Sequence, residues 1–363
     1  MVGYLLFALF LIVGVYGITN SNLFRNQKKA AVIYAAVVII LFCGSIDAKQ
    51  FGGDIMNYYN HAERALKMSY ADYLSNCPFE EGYAYFIWHV SNAFGSAQAL
   101  LFVQYAFVNI VILVYLYKYS EDLLISITFY ICIGGFTFYL TAFRQAFAMA
   151  IGLIAFMIMK RGRIIHYIIA ALLIAFALLF HKTVIVFFVV LLINKFPLKT
   201  KTMILFFVFS AIIFINLNLI VDYANEQIER DYSTYKGTPL GGIINIVIFS
   251  LILLLFNLAY RDNRIAVLEG KSECNEMDNY HSEVFLSVLC LTIYSLRFYV
   301  LALERVSFYF IIPFSVLISV GIKRSDNNKV RMLTTLTFVV LSIVLFLERC
   351  NNTFGNYVSI WSW

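Results

Sequence analysis

Charge is scarce in this chain. Only 13% of its 363 residues are Asp, Glu, Lys or Arg, while 62% are hydrophobic and mean hydropathy is +0.81. Soluble domains carry roughly 25% charged residues, so a soluble globular fold is excluded. Also missing are GxxxxGKS/T, GxGxxG and any Cys/His zinc pattern, which leaves no place for a nucleotide-binding or zinc-binding domain. There is no internal repeat and no low-complexity tract. Six cysteines, at 43, 77, 132, 274, 290 and 350, show no CxxC pairing. Cys77 and Cys350 fall on one side of the threading described next, but spacing alone supplies no bridging geometry, and all six are read as unpaired thiols. Residues 2–18 lack a basic leader and an A-x-A-like cleavage site, so they read as a retained first span. The net charge of +6 sits in short loops between apolar runs and gives no nucleic-acid signal.

What is abundant is apolar sequence of membrane-crossing length. Runs of roughly 17–25 such residues can span a bilayer. Twelve candidates occur: 2–18, 29–46, 99–117, 122–140, 142–160, 164–180, 183–195, 202–220, 241–260, 284–300, 306–322 and 332–347. The expected fold is therefore all-α: one polytopic transmembrane domain over 1–363 with about twelve transmembrane helices. Arg25, Lys28 and Lys29, then Lys118, then Lys160, Arg161 and Arg163 fall in loops of one side. Lys195, Lys199, Lys201, Arg261, Arg264, Lys271, Lys323, Arg324, Lys329 and Arg331 join them. The positive-inside rule makes that side cytoplasmic and puts both termini outside. Trp361 and Trp363 suit an interfacial anchor. Residues 82–95 are apolar but too short to cross, and a crossing there would invert every later basic loop. They are expected as an interfacial helix inside an extracytoplasmic insertion, 47–98, and 261–283 as a cytoplasmic loop.

Under this threading the conspicuous charges collect on the outer side. Ionisable residues at membrane depth are expensive and mark functional sites. FGGDIMNYYNHAER (51–64) offers Asp54 with Tyr58 and Tyr59, an acid beside aromatic rings as in sugar sites; a helix N-cap explains Asp54 equally well. FEEGY (79–83) offers Glu80 and Glu81, which could also merely favour the positive end of a following helix. TAFRQAFAMAIG (141–152) sets Arg144 and Gln145 at a span end, followed by small residues that permit close approach; the plain alternative is an Arg snorkelling to headgroups. LLFHKTVIVFF (178–188) places His181 in a turn, where it is an interfacial residue, a general base or a phosphate partner. SLRFYVLALERVSFYF (295–310) brings Arg297, Glu304 and Arg305 within nine positions, with Phe298, Tyr299, Phe308 and Tyr309 beside them. Arginine binds phosphate with a bidentate fork, while a Glu304–Arg pair would simply close a loop. Together, Arg, carboxylate and His on one face suit a diphosphate ligand plus a hydroxyl to be activated. Asp54, Arg144, His181 and Arg305 are expected to converge on one outward cavity.

The order of these pieces resembles the Wzy-type O-antigen and capsular polysaccharide polymerases, in their EpsG-like branch. It is carried by Gly53-Asp54 with a following Tyr, Glu80-Glu81-Gly82-Tyr83, Arg144-Gln145, Phe180-His181, and Arg305 with Phe308-Tyr309-Phe310. Glu81 stands where that pattern leads one to expect Pro. The resemblance implies a GT-C-like, nucleotide-sugar-independent glycosyltransferase of the bacterial inner membrane. Such an enzyme joins undecaprenyl-diphosphate-linked oligosaccharide units at the outer face, with no cofactor and no metal. On that reading Asp54, His181 and Glu80 are the catalytic candidates, and Arg144, Arg305 and Arg297 bind diphosphate. Tyr58, Gln145, Glu304 and Tyr309 contact substrate. Implied partners are the lipid-linked oligosaccharides, membrane lipids, a chain-length regulator and a flippase. Two other classes compete. A flippase needs a polar path through the span centres, which are nearly free of charge. A membrane O-acyltransferase needs a cytoplasmic His or Arg site, where only ordinary basic loops occur.

Overall fold

The computed structural model describes residues 2–51, 53–133, 135–193, 239–268, 279–298, 302–324, 328–352 and 359–360. They form seventeen α-helices and no sheet beyond one isolated bridge. Two compact units result: residues 1–188 with 333–363, and residues 189–332.

In the first unit, α1 (Val2–Thr19) and α2 (Gln27–Gly44) pack antiparallel, and α2 lies along α7 (Ala97–Tyr119). At 23 residues α7 is roughly 34 Å long, enough for a hydrocarbon core of about 30 Å. The outward faces are apolar: Leu9 of α1 is 61% exposed and Leu172 of α11 (Ile164–Ala177) is 65% exposed. Exposed apolar faces of this extent are stable in lipid and unstable in water. By length and hydropathy α2, α7 and residues 242–259 can each cross a membrane unaided, and a pair bent by 51° over 303–323 can make a fourth span. These helices mark a multi-pass membrane protein.

Several expected spans take other forms. Residues 122–140 are not continuous: α8 (Leu123–Cys132) stops and α9 (Phe136–Thr141) restarts after Gly135, which sits at φ 93. A left-handed glycine interrupts the helical ladder there. Residues 183–195 begin as a 3-10 helix, Lys182–Val189, and only then become α12 (Val190–Ile193). Helix α13 (Pro239–Leu268) continues into the expected 261–283 loop. The span expected at 202–220 lies outside the described residues, as do Tyr299, Trp361 and Trp363.

Between α2 and α7 runs the insertion: α3 (Ala48–Phe51), α4 (Gly53–Ala65), α5 (Tyr70–Ser75) and α6 (Glu81–Phe94). The helix expected over 82–95 is therefore present as α6, which Gly95 ends in the left-handed region. Both ends of the insertion are tied down. Gln98 Nε2 donates to the carbonyls of Gly44 (2.6 Å) and Ile46 (3.0 Å), and the Ile360 amide donates to the Ser45 carbonyl (2.8 Å).

In the second unit, α13 packs against α14 (His281–Ser295) and α16 (Ile312–Lys323), with α15 (Ala302–Ser307) beside α14. The last long helix, α17 (Asn328–Asn352), belongs to the first unit from Leu333 onward.

Candidate functional site

Three segments distant in sequence meet at Glu80. One is its own turn at the start of α6, another is the start of α10 (Phe143–Met159), and the third is the turn after α11. Gly82 makes the meeting possible. Its amide donates to the Leu179 carbonyl (3.0 Å), and a Cβ at Gly82 would stand 2.8 Å from that oxygen and from Leu179 Cβ. Such approach is tighter than side-chain-bearing residues tolerate, so only glycine brings the α6 turn this close to His181.

Glu80 occupies the N-cap position of α6, but its side chain makes no capping bond. Instead the carboxylate accepts from Arg144 Nη1 through Oε2 and pairs with His181 Nδ1 through Oε1 at 3.3 Å. Burial pushes the Glu80 carboxyl up. The His181 hydrogen bond, a backbone amide and the Arg144 charge outweigh it and bring the pKa down to about 2. Glu80 is thus a carboxylate at any physiological pH, and a carboxylate only accepts. The proton between it and His181 therefore belongs to Nδ1, and in the neutral form of the ring the lone pair is then on Nε2.

Arg144 is gripped on further sides. Its Nε donates to Tyr58 Oη (3.3 Å), and its guanidinium carbon lies 4.8 Å from the Phe79 ring centroid. Tyr58 is buried, stacked on Phe143 (4.9 Å between centroids, 13°) and close to Phe79 and Tyr83. Burial raises its phenol pKa despite Arg144, so Tyr58 acts here as a neutral hydroxyl. Cation–π contact contributes about 0.5–2 kcal/mol, depending on desolvation.

Beneath the site, α7 supplies polar groups where α9 and α10 break. Tyr105 Oη donates to the Leu140 carbonyl (2.8 Å), which the end of α9 leaves unpaired. Gln104 Nε2 donates to the Phe143 carbonyl (2.8 Å) and Gln104 Oε1 accepts from Tyr83 Oη (3.4 Å). A buried broken helix needs such partners, because no water satisfies it inside a bilayer.

The remaining candidates are placed as follows. Asp54 lies in the first turn of α4, exposed, close enough to Tyr58 to affect its titration. Gln145 is buried in α10. Glu81 is exposed in the first turn of α6. In the second unit, Arg297 Nη1 pairs with Glu304 Oε1 (3.0 Å) and donates to Tyr294 Oη, which also accepts from Asn245 Nδ2 (2.6 Å). Gly242 of α13 leaves room for Arg297, since a Cβ there would meet Arg297 Nε at 3.0 Å. Arg305 is exposed on α15, and Tyr309 is buried. Thus Tyr58, Glu80, Arg144 and His181 come together in the first unit, and Arg297 with Glu304 in the second. Phe79 and Gln104 were not singled out in the sequence. Gln104 has a signal, a side-chain amide within an apolar span; Phe79 has none.

The profile of the EpsG family matches residues 31–359, spanning both units and every one of these residues. The chain belongs to the EpsG family. EpsG-family proteins are associated with exopolysaccharide biosynthesis. No curated protein and no solved structure matches the chain. Among the described residues of this EpsG-family protein no group of three or more His, Cys, Asp or Glu is arranged to hold a metal ion.

Proposed function

We propose that this EpsG-family protein is a polysaccharide polymerase. It would join oligosaccharide units carried on undecaprenyl diphosphate at the outer face of the bacterial inner membrane, with both termini on that face. The observation that carries this reading is the Glu80–His181 dyad braced by Arg144. A hydroxyl of the acceptor unit attacks the anomeric carbon of the donor, the new glycosidic C–O bond forms, and the bond from that carbon to the diphosphate breaks. The hydroxyl proton passes to His181 Nε2. Glu80 holds the ring through Nδ1 and steadies the imidazolium that forms, the division of labour of a base and its orienting carboxylate. This makes His181 the base and Glu80 its positioning partner, with Asp54 outside the reaction.

The charge on Arg144 is already offset by Glu80, and that on Arg297 by Glu304. Their remaining N–H donors can still bond oxygens of substrate, each charged hydrogen bond contributing about 1.5–3 kcal/mol. Arg305 lies exposed in the second unit, and binding of diphosphate is proposed for it from the bidentate fork of its guanidinium alone. Tyr58, Gln145, Glu304 and Tyr309 are assigned to substrate contact or to the support of residues that make it. A flippase and a chain-length regulator are the expected protein partners.

The test is the chain-length distribution of surface polysaccharide in a deletion strain complemented with wild type or His181→Ala. Wild type restores a ladder; His181→Ala, at equal membrane abundance, leaves single units. A full ladder from His181→Ala sinks the assignment. Reconstituted liposomes that move lipid-linked units across the bilayer without polymer growth would point to a flippase.

A further inference from the structure

His61 is a buried ionisable side chain that the proposed reaction does not use. It lies one turn after Tyr58 on α4, is only 6% exposed, and its Nδ1 finds no hydrogen-bond partner among the described residues. Its ring packs on Phe79, with centroids 4.6 Å apart and planes at 54°, and stands edge-on to Tyr73 of α5 at 6.4 Å. Phe79 is the ring that carries the Arg144 guanidinium. So α4 reaches Arg144 twice: directly through the Tyr58 hydroxyl, and indirectly through His61 and Phe79.

A buried ring nitrogen without a partner costs free energy. If the position only had to be filled, an aliphatic residue would fill it without that cost. Burial, and Arg64 next on the same helix, hold the His61 imidazole below the usual histidine pKa, so the ring is uncharged when it rests on Phe79.

We infer that His61 is a positioning residue: its flat ring backs Phe79, and Phe79 in turn holds the Arg144 guanidinium in line with Glu80. The inference rests on the reading of Arg144, Glu80 and His181 as the reacting site. What it adds is a requirement for an aromatic ring at position 61, independent of any proton that ring carries.

The experiment uses the full chain in proteoliposomes with lipid-linked repeat units, and rates are normalised to folded protein. His61→Phe, His61→Leu, Phe79→Leu and the double variant His61→Leu/Phe79→Leu are compared. His61→Phe should keep kcat and KM within about twofold and raise the melting temperature, since it removes the orphan nitrogen. His61→Leu should lower kcat about tenfold with little change in KM, the scale of losing an oriented cation–π support. Phe79→Leu should do the same, and the double variant should be no worse than the poorer single, because both act through one ring. Wild-type rates from His61→Leu overturn the inference. So does an inactive but folded His61→Phe, which would mean that the protons of His61 take part. Additive losses in the double variant also overturn it, by showing two separate effects. Should His61→Leu not accumulate in membranes, Phe79→Leu reads the same support from its other side. His181→Ala is run in parallel: full activity there removes the site itself, whereas an inactive His181→Ala beside an active His61→Leu removes only the role of His61.

Discussion

The amide of Gly82 and the carbonyl of Leu179 are joined by a 3.0 Å hydrogen bond between segments almost a hundred residues apart. That bond sets the distance between Glu80, two residues before Gly82, and His181, two residues after Leu179. The first turn of α6 and the end of α11 are in effect clamped at their backbones, and the side chains that follow meet as a result.

Gly82→Ala should therefore act on activity through geometry. A methyl group 2.8 Å from Leu179 must push α6 away from the α11 turn. Overpacking of this kind costs about 1–3 kcal/mol. The expected outcome is a lower melting temperature in detergent and a ladder reduced toward single units. A variant that melts and polymerises like wild type would show that the clamp is not needed.

Glu80→Gln keeps the shape of the side chain but leaves Arg144 without its counter-charge. Removing one partner of a buried pair costs roughly 3–5 kcal/mol. The pair here is only part-buried, at 25% and 14% exposure, so the loss should fall below that range. Polymerisation should drop by roughly 100-fold or more, the scale seen when a preorganised polar group is lost. Arg144→Lys should fall similarly, because a single ammonium replaces the planar fork whose separate Nη1 and Nε reach Glu80 and Tyr58. Initial rates in membranes of matched protein content decide both.

The pH–rate profile separates a histidine base from a carboxylate base. Glu80 is depressed to about 2, so its contribution to the folded state is present above its unfolded value of about 4.5 and is lost only as pH falls through about 2. Between pH 5 and 8 the Glu80–Arg144 clasp should not titrate. A histidine base is lost on protonation, so a fall in activity on acidification inside that window points to an imidazole and not to Glu80. A fall confined to pH values below that window would instead implicate a carboxylate base.

Asp54→Asn is expected to leave the ladder almost unchanged. Asp54 is exposed in the first turn of α4 and bonds to none of Glu80, Arg144 and His181. Asn serves nearly as well as Asp at a helix start, so stability should shift by no more than a few tenths of a kcal/mol. Collapse to single units at normal abundance would return Asp54 to the mechanism.

Much of this arrangement was visible in the sequence, though unevenly. Apolar periods mark the helices, and the rarity of charge near their ends draws attention to Glu80, Arg144 and His181 one by one. Their meeting is a tertiary fact, set by a glycine contact that no local pattern announces. The break in α8–α9 was foreshadowed by Gly134-Gly135, but a hydropathy window averages over two residues and reads 122–140 as one span. The 3-10 start at Lys182 was hidden for the same reason, since composition does not distinguish helix types. Glu80 illustrates the limit most plainly. A carboxylate before a helix fits a cap and a site equally well, and only the direction of its side chain decides.

The bond from the Ile360 amide to the Ser45 carbonyl bears on how this protein is handled. Ser45 ends α2, where the chain turns into the α3–α6 insertion, and the bridge between Ile46 and Ser359 lies beside that bond. A reporter fused close behind Ile360 would load this junction mechanically and disturb the segment that delivers Tyr58 and Glu80. Loss of polymer in such a fusion would reflect the reporter. Sidedness is better mapped with single cysteines at internal positions that leave the junction unstressed.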